Sequence, residues 1–120
     1  MGIRKVEKMI SKELLSELVG YEVVEILQPR DNTIVAYDGT TSSKTEDWNE
    51  CFNIYELQYL IKKWAWENHY IIDSDFNVPE CTATIYWVSK INKPIIFKGK
   101  TEFDAVIKAS EYIQEKRNDK

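Results

Sequence analysis

"CTATIYWVS", Cys81 to Ser89, is the stretch on which the fold turns. Its side chains alternate. Cys81, Ala83, Ile85 and Trp87 fall on one face of an extended strand, and Thr82, Thr84, Tyr86 and Val88 on the other. Large apolar residues on both faces predict a strand in a sheet covered from both sides. Moving towards the C-terminus, "KINKP" makes a turn, "IIFK" another strand, and Gly99 leads out. Thr101 and Asp104 then form a capping-box pattern, and Phe103, Val106, Ile107, Ser110 and Ile113 supply the inner face of a closing helix. Its end, residues 116–120, is expected to fray.

Upstream, "WAWENHYIIDSDF", Trp64 to Phe76, reads as a helix running into a strand. The helix opens at Asn53, with Glu56 three residues on completing a capping box. Ile54, Leu57, Leu60, Ile61, Trp64 and Ala65 form its apolar stripe, which excludes Lys62, Lys63 and Trp66. It should end near Asn68, with "HYIID" as the next strand. Before it, "YEVVEIL" and "TIVAY" are β-rich runs separated by "QPRDN", which reads as a hairpin, although the first run could also prolong the preceding helix. That first helix spans Ser11 to Val19, carries Ile10, Leu14, Leu15 and Leu18 at helical spacing, and stops at Gly20. Residues 38–50, "DGTTSSKTEDWNE", are polar and aperiodic and are expected to form a mobile loop in which Trp48 either docks on the core or binds a partner. The predicted order is α-β-β-α-β-β-β-α: one α+β domain over residues 1–120, an antiparallel sheet sandwiched by helices.

The 120-residue chain is 43% hydrophobic, 12% aromatic and 30% charged, a composition that folds without disulfides. No apolar run approaches the roughly 18 residues of a membrane span, and the charged start "MGIRKVEKMISKELL" does not read as a secretory signal. A cytoplasmic protein with Cys51 and Cys81 as reduced thiols is the expectation. Net charge is −4, and it is unevenly spread. Residues 31–89 hold ten acids against Lys44, Lys62 and Lys63, whereas residues 90–120 carry a balance of +3. So acidic a middle is ill suited to a phosphate backbone and better suited to a basic protein surface.

Enzymatic readings find little support. Cys51, His69 and Asp73 include the residue types of a thiol triad, but no nucleophile elbow or protease signature accompanies them. No Cys-x-x-Cys or His-x-x-x-His spacing marks a zinc site. "DSDFNVPE" starts like a calcium loop, yet Val78 stands where such a loop needs Gly and Thr84 where it needs Glu. The four glycines, at positions 2, 20, 39 and 99, make no phosphate-binding loop. The expectation is a non-enzymatic protein with no cofactor and no bound metal.

Two families resemble this chain. From Asn53 to Gln114 the α-β-β-β-α order is similar to that of a double-stranded RNA-binding domain, and "FKGKTEFDAVIKASEYI" resembles that family's last strand and helix. The family contacts phosphates through lysines opening that helix. Here Thr101, Glu102, Phe103 and Asp104 stand there, with Lys98 and Lys100 just ahead. The family's histidine-containing hairpin is not recognisable, and tryptophans covering two faces would not suit its one-sided sheet. A nucleic-acid-binding module is therefore the alternative reading. Across nearly the whole chain, "ELLSELVGYEVVEI", "FNIYELQYLIKKWAWENHY" and "KTEFDAVIKASEYI" resemble small bacterial and prophage proteins of the phage α/β/α-sandwich domain family. That resemblance rests on core and cap positions such as Thr101 and Ala105, so it implies a fold and a phage or mobile-element setting and carries over no functional residue.

The leading expectation is a protein that acts by protein–protein contact, perturbing a host protein. The candidate interface is the acidic, aromatic set Glu46, Asp47, Trp48, Trp66, Tyr70, Asp73 and Asp75. The competing reading is that these aromatics complete the core and the acids simply face water.

Overall fold

The computed structural model describes residues 9–40, 44–45, 49–76, 80–88 and 93–118. Its elements run α1 (Lys12–Val19), β1 (Glu25–Leu27), β2 (Thr33–Tyr37), β3 (Glu50–Asn53), α2 (Ile54–Glu67), β4 (Tyr70–Asp75), β5 (Cys81–Trp87), β6 (Ile95–Gly99) and α3 (Glu102–Asn118). The class is α+β, as expected. The strands form two antiparallel three-stranded sheets, β1-β2-β3 and β4-β5-β6.

Helix boundaries follow local chemistry. Ser11 caps α1 by accepting from the Leu14 N–H, and Gly20 ends it in the left-handed conformation at φ 86°. Asn53 and Glu56 form the full reciprocal capping box of α2. Thr101 accepts the Asp104 N–H at 3.0 Å to cap α3. Helix α2 ends at Asn68, and the left-handed turn falls on the next residue, His69, at φ 70°. Its amide donates to Trp66 and its carbonyl accepts from Val88, which aligns β4 with β5. At the other side of the sheet, Gly99 lets β6 pass close to α3, where a Cβ would lie 2.8 Å from the Ala105 nitrogen.

The predicted hairpin exists, with Glu25 opposite Tyr37 and Leu27 opposite Val35. The strand not foreseen is β3, which extends this hairpin by pairing Phe52 with Ile34 and Cys51 with Val35. It takes Glu50 from the expected loop. Only Phe52 of its four residues is buried, so no alternation announces it. Helix α3 also runs further than expected, to Asn118, because Lys116 lies over the Tyr112 ring and Arg117 pairs with Glu17.

A single hydrophobic cluster joins Leu14 and Leu15 of α1, Ile34 and Phe52 of the first sheet, the α2 stripe with Trp64, Ile72, Ala83 and Ile85 of the second sheet, and Phe103, Val106, Ile107 and Ile113 of α3. Both α2 and α3 pack on the second sheet, and α1 lies beside α2. The expectation that β5 is covered from both sides is corrected here. Cys81, Ala83 and Ile85 are buried under the helices, but Tyr86 and Val88 remain 41% and 43% exposed. Large side chains on the second face therefore mark an uncovered surface. The objection that two-sided tryptophans cannot suit a one-sided sheet falls with it, since Trp87 packs inward and Trp66 stands on a helix.

Candidate functional site: an open sheet face

Strand parity builds this surface. Ile72 of β4, Ala83 and Ile85 of β5, and Phe97 of β6 point to the helices, so Ile71, Asp73 and Asp75, then Thr82, Thr84 and Tyr86, then Ile96 and Lys98 point away. Register places Ile71 opposite Tyr86, Asp73 and Ile96 on either side of Thr84, and Asp75 and Lys98 on either side of Thr82. One end of the face is thus apolar and the other charged. Ile71 is 39% exposed and Ile96 62%, which completes an apolar group with Tyr86 and Val88. Asp73 and Asp75 are exposed, and Lys98 lies 3.8 Å from Glu80, so this lysine of the face is already paired with an acid.

The described candidates named from the sequence, Trp66, Tyr70, Asp73 and Asp75, do not gather in one patch. Asp73 and Asp75 lie on this open face. Trp66 is 59% exposed but belongs to α2, in the layer on the other side of the sheet. Tyr70 is a half-buried packing residue: its ring meets Trp87 at 5.9 Å, in a chain of contacts that continues through Tyr112 to Phe97. Glu46, Asp47 and Trp48 lie outside the described residues. Within the expected loop, Lys44 reaches back to Glu25 at 2.6 Å and lies over the Tyr37 ring at 5.4 Å. The Glu25 carboxylate raises the Lys44 pKa above its usual value.

The sequence reading missed Ile71, Val88, Tyr86 and Ile96 as surface residues. The signal was present in the strict alternation of Cys81–Trp87, but it states only that two faces exist and not whether the second is covered. Cys51, His69 and Asp73 are not assembled into a triad. Cys51 precedes α2 and His69 follows it, so the length of that helix, roughly 21 Å for fourteen residues, separates them. Neither thiol is in a disulfide: Cys51 is exposed in the first sheet and Cys81 buried in the second. Among the described residues, no group of three or more His, Cys, Asp and Glu side chains is arranged to hold a metal ion, and no helix is long and apolar enough to cross a membrane. No protein-family model, no curated protein and no solved structure matches the chain.

Proposed function

We propose that this protein is a non-enzymatic binding module that meets a basic protein partner across the open face of β4, β5 and β6. The carrying observation is the group Ile71, Tyr86, Val88 and Ile96, left exposed beside Asp73 and Asp75. A three-strand face of this length covers roughly 14 by 20 Å, enough for the apolar centre of a standard interface but not its polar rim. Tyrosine and isoleucine supply rigid area there, and the aspartates favour a partner bearing Lys or Arg opposite them. On this reading the protein is of phage or mobile-element type and modulates a host protein in the cytoplasm.

The α2-β4-β5-β6-α3 order, with both helices on one face, favours a second reading as a nucleic-acid module. Against it stand Glu102 and Asp104 in the first turn of α3, where a phosphate-binding helix would carry lysines.

The test is a paired variant, Tyr86→Ser with Ile96→Lys. It removes two apolar side chains from the face and adds a charge hostile to a basic partner. Its melting temperature should match the parent's within a few degrees, because neither side chain lies in the core. Affinity capture should then retain a protein on the parent and lose it on the variant. A partner held equally by both would sink the proposal. So would micromolar, salt-dependent binding of double-stranded RNA by both proteins, which would establish the second reading instead.

A further inference from the structure

Where α2 and α3 begin, their first turns face one another across a cavity of about 290 Å³. Ile54 and Phe103 form its floor, and Tyr55 and Phe76, both largely exposed, stand at its rim. Gln58 and Glu102 also line it. Gln58 is only 8% exposed, and its Oε1 is, among the described residues, the one buried side-chain polar atom without a hydrogen-bond partner. A buried acceptor left unmade is costly, and native proteins rarely leave one unless something occupies the space before it. The cavity is at the small end of ligand sites, too small for a nucleotide and large enough for one long side chain.

We infer that this cavity binds a guanidinium group, with Gln58 Oε1 and the Glu102 carboxylate as its acceptors and the Tyr55 and Phe76 rings as its walls. Several features select that chemistry. The unmet atom is an acceptor, so the ligand must donate. Glu102 is the charged group of the lining and it is anionic; among the described residues no cation lines the cavity. One Glu102 oxygen accepts from the Ser74 hydroxyl, which holds the carboxylate in place. A guanidinium is planar, carries donors along its edges and stacks on aromatic faces, so it can satisfy an amide oxygen, a carboxylate and two rings together. Helix N-termini alone would favour an anion. Here Asn53 and Thr101 already accept amides of the two first turns, and Glu56 and Glu102 bring full negative charges to them. The site lies on the helix side of the second sheet and is independent of the open face.

The test titrates the protein with blocked arginine (N-acetyl-arginine methylamide), free arginine, the matching blocked citrulline, blocked lysine and inorganic phosphate. It is read by calorimetry and by the amide resonances of Tyr55, Gln58 and residues 101–103. Both arginine probes should bind saturably, with citrulline and lysine about ten-fold weaker or worse. Stronger binding of the blocked form identifies a partner's arginine side chain as the source, and stronger binding of free arginine identifies a small molecule. Glu102→Gln, which can still accept from Ser74, should lose binding about ten-fold. Gln58→Leu should do the same while melting no lower than the parent, because it removes the unpaired acceptor. Arginine binding unchanged in both variants, citrulline binding as tightly as arginine, phosphate alone moving these resonances, or no arginine binding to the parent would each overturn the assignment.

Discussion

Trp64 shows what one residue holds together here. It is 5% exposed, its indole N–H donates to Glu17 at 2.9 Å, and the Arg117 guanidinium lies over its ring at 5.6 Å while also bonding Glu17. One side chain therefore seals the α2 core stripe and joins all three helices. Trp64→Ala should cost on the order of 3–5 kcal/mol, a large part of a small domain's stability. A thermal melt of that variant within a degree or two of the parent would show the ring to be dispensable. The burial of Trp64 could be read from its place in the stripe. Its partners could not, because Glu17 is 47 residues away and periodicity says nothing about distant neighbours. Gln58 was hidden for a related reason. It flanks the edge of the stripe beside Ala65, and a polar residue does not register in a count of apolar ones.

At the scale of elements, local chemistry was legible and pairing was not. Gly20, Asn53 and Thr101 act at the helix ends where the sequence puts them, since a cap needs partners only three or four residues away, and Ser11, read as the first residue of α1, proves to be its cap. The strand β3 was invisible because it exists through β2: Phe52 alone turns inward and the other three residues face water. Asn53 is both the last residue of β3 and the cap of α2, and the Ile54 amide donates to Asn32 in the hairpin turn. Asn53→Ala should cost about 1 kcal/mol through the lost cap. Hydrogen exchange should then quicken together at the start of α2 and across β3, because one residue ends the strand and starts the helix. Faster exchange confined to the first turn of α2 would mean that the two elements are independent. The open sheet face belongs to this scale as well. Alternation in "CTATIYWVS" defined two faces, and only the positions of α2 and α3 decide which one they cover.

For the whole molecule, the contacts that close the fold join residues about a hundred apart in sequence. Ser11 bonds Gln114 at 3.3 Å, and the Glu17–Arg117 pair spans 100 residues. The double change Gln114→Ala with Arg117→Ala should strip protection from α1 selectively, leaving the β4–β6 sheet slower to exchange. Uniform loss across the chain would instead mean a fold that stands or falls as one unit. The same contact sets an order of events on the ribosome. Helix α1 is made early, but its last partner is 100 residues downstream, about 5–20 s later at ordinary elongation rates. Eight residues cannot hold a helix alone in water, so α1 waits for α2 to cover Leu14 and Leu15, and Glu17 then waits for Arg117 of α3. A slow stretch of message before α3 would lengthen that wait, and the nascent chain would then be exposed to chaperones and proteases at α1 for longer.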